Sequence, residues 1–201
     1  MNILITGGAG YLGSVLTAEL LAMGHHVLAL DNFRHGMPSL SHLCCDPHLH
    51  LVCGDARDQR TLYAPLKWAD VIIPLAAIVG APACDLDGHA AISTNHKAVR
   101  MLCLTKSKDQ LLILPNTNSG YGTVMNSVCT EATPLNPISL YGQTKSMEEL
   151  EVLDAGGITF RFATLFGPSA RMRLDLLVND FVYRAVRDRA VTLFEADARR
   201  N

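Results

Sequence analysis

A run of seven residues near the N-terminus, Gly7-Gly8-Ala9-Gly10-Tyr11-Leu12-Gly13, limits the fold more than any other feature of the chain. It satisfies G-x-G-x-x-G from Gly8 and G-x-x-G-x-x-G from Gly7. It lies directly between a short apolar stretch, Asn2–Thr6, and an amphipathic one, Tyr11–Met23. Leu12, Val15, Leu16, Leu20 and Met23 return at helical spacing and Gly24 follows as a stop, so the second stretch reads as a helix. Glycines between a strand and a helix let the chain turn sharply and bring a pyrophosphate against the unpaired N–H groups of the first helical turn, where the helix dipole favours an anion. The placement of the motif, more than the motif itself, predicts a dinucleotide-binding βαβ unit.

The alternation continues along the chain. Asn2–Thr6, His26–Leu30, His50–Cys53, Val71–Pro74, Leu111–Leu114 and Thr159–Phe162 are short apolar runs, as strands buried on both faces should be. His89–Ser107 and Ser139–Asp154 read as helices between them, the second stopped by Gly156-Gly157. The pattern predicts an α/β fold, a Rossmann-type doubly wound parallel sheet. With 49% hydrophobic and 18% charged residues the chain can bury such a core. Asn116–Pro137, dense in Gly, Asn, Thr and Pro, reads as a long loop of the kind that carries function.

Three further positions fit a dinucleotide. Asp31 ends the second strand, where a carboxylate accepts hydrogen bonds from the adenosine ribose and repels the extra phosphate of NADP, so NAD is favoured; Arg34 nearby keeps NADP open. Asp55 follows the third strand, placed either to accept from the adenine amino group or to cap the next helix. Tyr141 and Lys145 stand four residues apart and share one face of a helix. An ammonium beside a phenol stabilises the phenolate. Bringing a tyrosine from about 10 to near 7 takes about 4 kcal/mol, which a close cation in a dry site supplies. Tyr141 would then serve as a general base, with Thr117, at the end of the fifth strand, bonded to the reacting oxygen.

Other classes are disfavoured. A formal charge of −2 without a Lys/Arg run argues against a nucleic-acid or anionic-membrane binder. Arg171, Arg173, Arg184, Arg187, Arg189, Arg199 and Arg200 make the last stretch locally basic, either a solvated face or a phosphate-holding edge. The six cysteines include no C-x-x-C, and Cys44 and Cys45 are adjacent, which fits free thiols in a reducing, cytoplasmic setting. His42, His48 and His50 lie near them without metal-ligand spacing, so no metal is expected. The N-terminus lacks the basic region of a signal peptide. The longest apolar stretch, Val71–Cys84, is interrupted by Pro74, Gly80 and Pro82 and is too short to span a bilayer.

Taken in order, Thr6-Gly7-x-x-Gly10-x-x-Gly13, Asp31-Asn32, Gly54-Asp55, Leu75-Ala76-Ala77, Asn95, Thr117-x-x-x-Tyr121-Gly122, Tyr141-x-x-x-Lys145 and Arg161 to Gly167-Pro168 resemble the extended short-chain dehydrogenase/reductases, specifically the NAD-dependent sugar epimerase/dehydratase family. The resemblance runs the length of the chain. It implies an active triad of Thr117, Tyr141 and Lys145. NAD would be held by Gly7, Gly10, Tyr11, Leu12, Gly13, Asp31, Asn32, Asp55, Ala56, Leu75, Ala76, Ala77 and Lys145, and a nucleotide sugar by Thr117, Asn118, Ser119 and Tyr141.

The resemblance also implies chemistry. Tyr141 takes a proton from a sugar hydroxyl, usually at C4, while NAD takes the hydride, and an epimerase returns the hydride to the other face. Family 4,6-dehydratases carry Asp-Glu after the triad threonine; Asn118 and Ser119 stand there, which favours an epimerase, a dehydrogenase or a reductase. A dinucleotide-sensing module without chemistry would normally lack the tyrosine or lysine, both of which are kept. The resemblance further implies a homodimer through the two helices at His89–Ser107 and Ser139–Asp154. Residues 1–170 form the NAD-binding domain, and 171–201 begin a substrate lobe that is otherwise largely missing.

Overall fold

The computed structural model describes residues 1–36, 38–124 and 128–193. Six strands form one parallel sheet in the order β3-β2-β1-β4-β5-β6. In chain order they are β1 (Asn2–Thr6), β2 (His26–Asp31), β3 (Leu49–Cys53), β4 (Val71–Pro74), β5 (Leu111–Thr117) and β6 (Ile158–Phe162). This is the doubly wound dinucleotide-binding order, whose direction reverses between β1 and β4 and opens a crevice at their carboxyl ends. The helices are α1 (Tyr11–Ala22), α2 (Gln59–Trp68), α3 (Ala81–Leu86), α4 (Gly88–Ala91), α5 (Ala98–Thr105), α6 (Leu140–Asp154) and α7 (Leu177–Arg187).

Burial follows position in the sheet. Leu4, Leu30, Leu62, Ile72, Leu102, Leu112, Leu114 and Val152 form a core on one face, while Ile3, Ile5, Leu21, Val27, Val71 and Ile73 pack on the other. Only β1, β2 and β4 are buried on both faces, and β5 alternates buried with half-buried residues. The edge strands β3 and β6 carry only half-buried and exposed residues, a departure from the uniformly buried strands that apolar content predicts.

Two other expectations need correction. The supposed long loop Asn116–Pro137 begins as structure: β5 continues to Thr117 and a 3-10 turn spans Asn118–Tyr121, with the Thr117 side chain accepting from Ser119 N–H. The helix predicted over His89–Ser107 is interrupted by a π-helical turn, Ile92–Lys97. That extra residue per turn aims Asn95 inward, where its amide receives Ile78 N–H and donates to Ile78 O and the Thr144 hydroxyl. The segment 171–201 supplies α7 up to Arg187; Arg199 and Arg200 lie outside the described residues.

At the β1–α1 turn, Gly7 adopts φ +76 and donates its N–H to Leu30 O, tying the loop to β2. A Cβ at Gly7 would sit 2.6 Å from the Ala76 backbone nitrogen, in a conformation L side chains rarely adopt. Gly7→Ala should therefore destabilise the fold by about 2–3 kcal/mol, a fall in melting temperature of roughly 4–12 °C, because strain and overlap add. A calorimetric melt checks this; an unchanged midpoint would mean that the loop relaxes freely.

Candidate active site

A cleft of about 610 Å³ opens over the carboxyl ends of the central strands. Its walls bring together Gly7, Gly10, Tyr11, Leu12, Gly13, Leu75, Ala77, Thr117, Asn118, Ser119, Tyr141 and Lys145, twelve of the residues singled out in the sequence. Helix α1 points its N-terminus into the turn. Gly10 occupies the cap position and no side chain caps the helix, so the first-turn N–H groups face the cleft side of the loop. The Tyr11 hydroxyl donates to Gly167 O at 2.7 Å and accepts from the Asn179 amide at 3.0 Å, while Ser14 and Ser169 hydroxyls lie 3.0 Å apart. These contacts pin the chain beyond β6 across α1 and give the cleft its far wall.

Asp31 braces the glycine turn from the adjacent strand. Its carboxylate accepts from Ala9 N–H at 3.0 Å and Phe33 N–H at 2.8 Å, one oxygen each, leaving lone pairs on both. It lines a small hollow with Gly10, His35 and Arg171. His35 is held below the usual imidazole range, chiefly by burial and then by the positive charges of Arg171 and Arg34. Arg171 and Arg173 both line the main cleft, Arg173 in an ion pair with Asp175. Arg184 and Arg187 instead sit in exposed ion pairs with Asp180 and Asp188.

Four residues expected to hold the cofactor, Asn32, Asp55, Ala56 and Ala76, do not line the main cleft. Asp55 does not cap α2: Asp58 does, accepting from Arg60 N–H, because the helix starts one turn later than the strand end implies. The Asp55 carboxylate is gripped by Arg57 through its backbone N–H and guanidinium, which lowers its pKa through the hydrogen bonds. Ala56 is a core residue, and Ala76 presents its backbone to Gly7. Asn32 accepts from Arg34 N–H in a turn.

Thr117 ends β5, and Tyr141 and Lys145 enter from α6, whose N-terminus is fixed by the Ser139 side chain accepting Gly142 N–H at 3.1 Å. The Thr117 side chain lies close enough to the phenol of Tyr141 to pull its pKa down. The phenol is nevertheless not acidified. Burial, then the negative charge of Glu148, push Tyr141 up to about 12, against the smaller downward pull of the Thr117 hydrogen bond. The expectation that Lys145 lowers this pKa is corrected for a specific reason: the Lys145 ammonium is ion-paired with Glu148, three residues along the same helix. Glu148 is 1% exposed, and burial raises its carboxyl to about 7 although Lys145 pulls it down.

The inner face of α6 buries a second carboxylate. Glu149 accepts from the Asn116 amide at 2.7 Å and from Arg161 Nη2 at 2.6 Å. Arg161, from β6, also donates to the Tyr121 hydroxyl and Glu131 O, and its pKa is raised chiefly by the bonds to Glu149 and then by that to Tyr121. The Asn116 and Arg161 bonds to Glu149 together fix α6 against β5, the strand that delivers Thr117, and against β6. Neither Glu148 nor Glu149 was visible as a site residue in the sequence, since two adjacent acids in a helix normally read as its solvated side; the one signal was their spacing of three and four from Lys145. Among the described residues no group of three or more His, Cys, Asp or Glu can hold a metal, and no helix is long and apolar enough to cross a membrane.

A glycine turn at the crevice of a doubly wound sheet is the arrangement of a dinucleotide-binding fold, and here a Thr, Tyr and Lys set faces it. The chain belongs to the NAD dependent epimerase/dehydratase family, whose model matches residues 3–201. UDP-glucuronic acid decarboxylase 1 of Arabidopsis thaliana is 29% identical over 96% of the chain and 46% of its own length. dTDP-4-dehydrorhamnose reductase of Burkholderia thailandensis is 31% identical over 83% of the chain and 51% of its own length. UDP-glucuronic acid 4-epimerase of Bacillus cereus, solved with UDP-glucuronic acid and NAD, superposes with a TM-score of 0.80 at 26% identity, covering 94% of this chain and 64% of that one. The chain thus spans about half the length of the curated relatives it matches. It belongs to a family of enzymes, and the family's cofactor is NAD.

The donor set here fits that group: open N–H groups of α1 for a pyrophosphate, Asp31 lone pairs for ribose hydroxyls, and a cleft running on to Tyr141 and Lys145. Because Glu149 is 2% exposed, removing its partner leaves a buried charge. Arg161→Leu should cost about 3–5 kcal/mol by denaturant unfolding. A loss under about 1 kcal/mol, the range of exposed pairs, would show that the pair does not hold the helix in place.

Proposed function

We propose that this chain is the cofactor-binding part of an NAD-dependent nucleotide-sugar epimerase acting at C4. The observation that carries the reading is the convergence of Thr117, Tyr141 and Lys145 with the glycine turn in one cleft. Tyr141 takes the proton of the sugar hydroxyl as general base, and Thr117 hydrogen-bonds the same oxygen. Bound NAD supplies the hydride acceptor for this half of the reaction and the donor for the return. Lys145 stabilises the phenolate once its pairing with Glu148 is loosened. Tyr141 then gives the proton back to the oxygen of the turned keto sugar, which completes the inversion. Asn118 and Ser119 line the cleft beside Thr117 and hold the sugar by hydrogen bonds; neither can act as the carboxylic acid of a 4,6-dehydratase.

A second reading, a dehydrogenase or reductase that releases its nicotinamide after one transfer, is supported by the similarity to a dTDP-sugar reductase. A sensing module without chemistry is disfavoured by the retained Tyr141 and Lys145. Bound nicotinamide surviving desalting supports the epimerase, and empty protein the reductase.

We further propose a cytoplasmic homodimer. Leu104 on α5 is 75% exposed, Leu150 on α6 is 59% exposed, and Met147 and Leu153 are exposed beside it, an apolar face suited to a second copy. All six cysteines are free thiols, as a reducing compartment requires. Leu150→Glu should convert a dimer to a monomer in size-exclusion chromatography, while a wild-type monomer would remove the assembly from the proposal.

In the protein at its natural length, Tyr141→Phe should lower turnover of nucleotide sugars by about 10²–10⁴, the worth of a general base, with NAD affinity nearly unchanged. Turnover that survives the substitution rules out Tyr141 as the base.

A further inference from the structure

The buried pair on α6 points to a control on the catalytic tyrosine. Lys145 is 6% exposed and Glu148 1% exposed, and they meet one turn apart on the face turned inward. A buried carboxylate is retained at a cost unless it is paired, and its partner here is the one cation that the tyrosine needs. The groups that face this pair come from several elements. Tyr141 and Glu149 lie on α6 itself, Cys103 on α5 feels the Glu148 charge, and Cys84 on α3 and Arg173 from the cleft wall act on the phenol. Of the charges acting on that phenol the strongest is the negative one of Glu148, ahead of Arg173.

We propose that Glu148 is a positioning residue for Tyr141 and Lys145: by holding the Lys145 ammonium it withholds positive charge from the phenol, and weakening that hold makes the phenol a stronger acid. Two events weaken it. Protonating Glu148 removes its charge and leaves the ammonium unopposed. A polyhydroxylated ligand in the cleft, such as the ribose of a dinucleotide, competes for the ammonium and draws it toward the phenol. The catalytic base is thereby kept protonated until a ligand arrives. Burial reinforces the device, since the carboxyl of Glu148 is raised into the neutral range, where a modest change of environment switches its charge.

The inference rests on Tyr141 being the base, but its test reads the phenol directly. With 13Cζ-labelled tyrosine, the resonance of Tyr141, assigned by its loss in Tyr141→Phe, is followed against pH in the full chain, with and without NAD. Glu148→Gln, which keeps the shape and removes the charge, should increase the acidity constant of Tyr141 at least about tenfold, one pKa unit. Glu148→Asp, which restores a carboxylate, should return it toward wild type, a rescue that a loss of packing would not give. Saturating NAD should shift the wild-type phenol in the acidic direction and shift the Gln variant less.

The wild type alone supplies a second measurement should Glu148→Gln fail to fold: the Tyr141 resonance should show an extra inflection where Glu148 ionises. A Tyr141 titration that is the same in wild type and Glu148→Gln, or a wild-type curve with no such inflection, overturns the proposal. Activity that survives Tyr141→Phe would instead overturn the functional reading, and leaves the measured coupling between Glu148 and the phenol standing.

Discussion

The site depends on the burial of three charged side chains, Lys145, Glu148 and Glu149, on the inner face of one helix. Charge taken out of water must be paired, and each pairing here fixes something. Glu149 bonds Asn116 and Arg161, which joins α6 to β5 and β6. Arg161 reaches on to Tyr121 and Glu131 and holds the start of the segment that follows Thr117. Lys145 and Glu148 pair with each other and set the potential at the phenol one turn away. An apolar face in this position would pack the helix equally well, and it would leave neither the tyrosine nor the threonine electrostatically defined.

The rest of the cleft is assembled at the carboxyl edge of the sheet from pieces far apart in sequence. The glycine turn follows β1, Asp31 ends β2, Leu75 and Ala77 follow β4, and Thr117 ends β5. Asp31 accepts from the backbone of the glycine turn, so two neighbouring loops are locked before any ligand contact. The Tyr11 side chain then ties α1 to Gly167 and Asn179, which carries Arg171 and Arg173 into the cleft. A residue in a dinucleotide motif thus also does structural work for the opposite wall.

The sheet was legible because its signals are local. Glycine placement, apolar runs of strand length and helix stops follow from backbone geometry, and all six strands and the helix bearing Tyr141 lie where those signals put them. The π-turn at Ile92–Lys97 was not legible, since one added residue in a helix leaves the apolar spacing almost intact. Nor were the charges on α6. A pair of glutamates reads as solvent-facing unless the strand opposite is known to supply Asn116 and Arg161. The acidity of Tyr141 departs from the helix-face expectation for the same cause: residues 141 and 145 share a face, but so does 148, whose carboxylate pairs with the ammonium.

Reversible hydride transfer on a nucleotide sugar, with Tyr141 as the base, is the activity proposed for this cleft. The most direct measurement is the near-ultraviolet absorbance of reduced nicotinamide after rapid mixing of the natural-length, NAD-loaded protein with a panel of nucleotide sugars. A reduced band that rises and falls within a turnover is expected for the true substrate, and no band in Tyr141→Phe. Dinucleotide retained throughout with no reduced band for any sugar in the panel, or an equal band without the phenol, would contradict it.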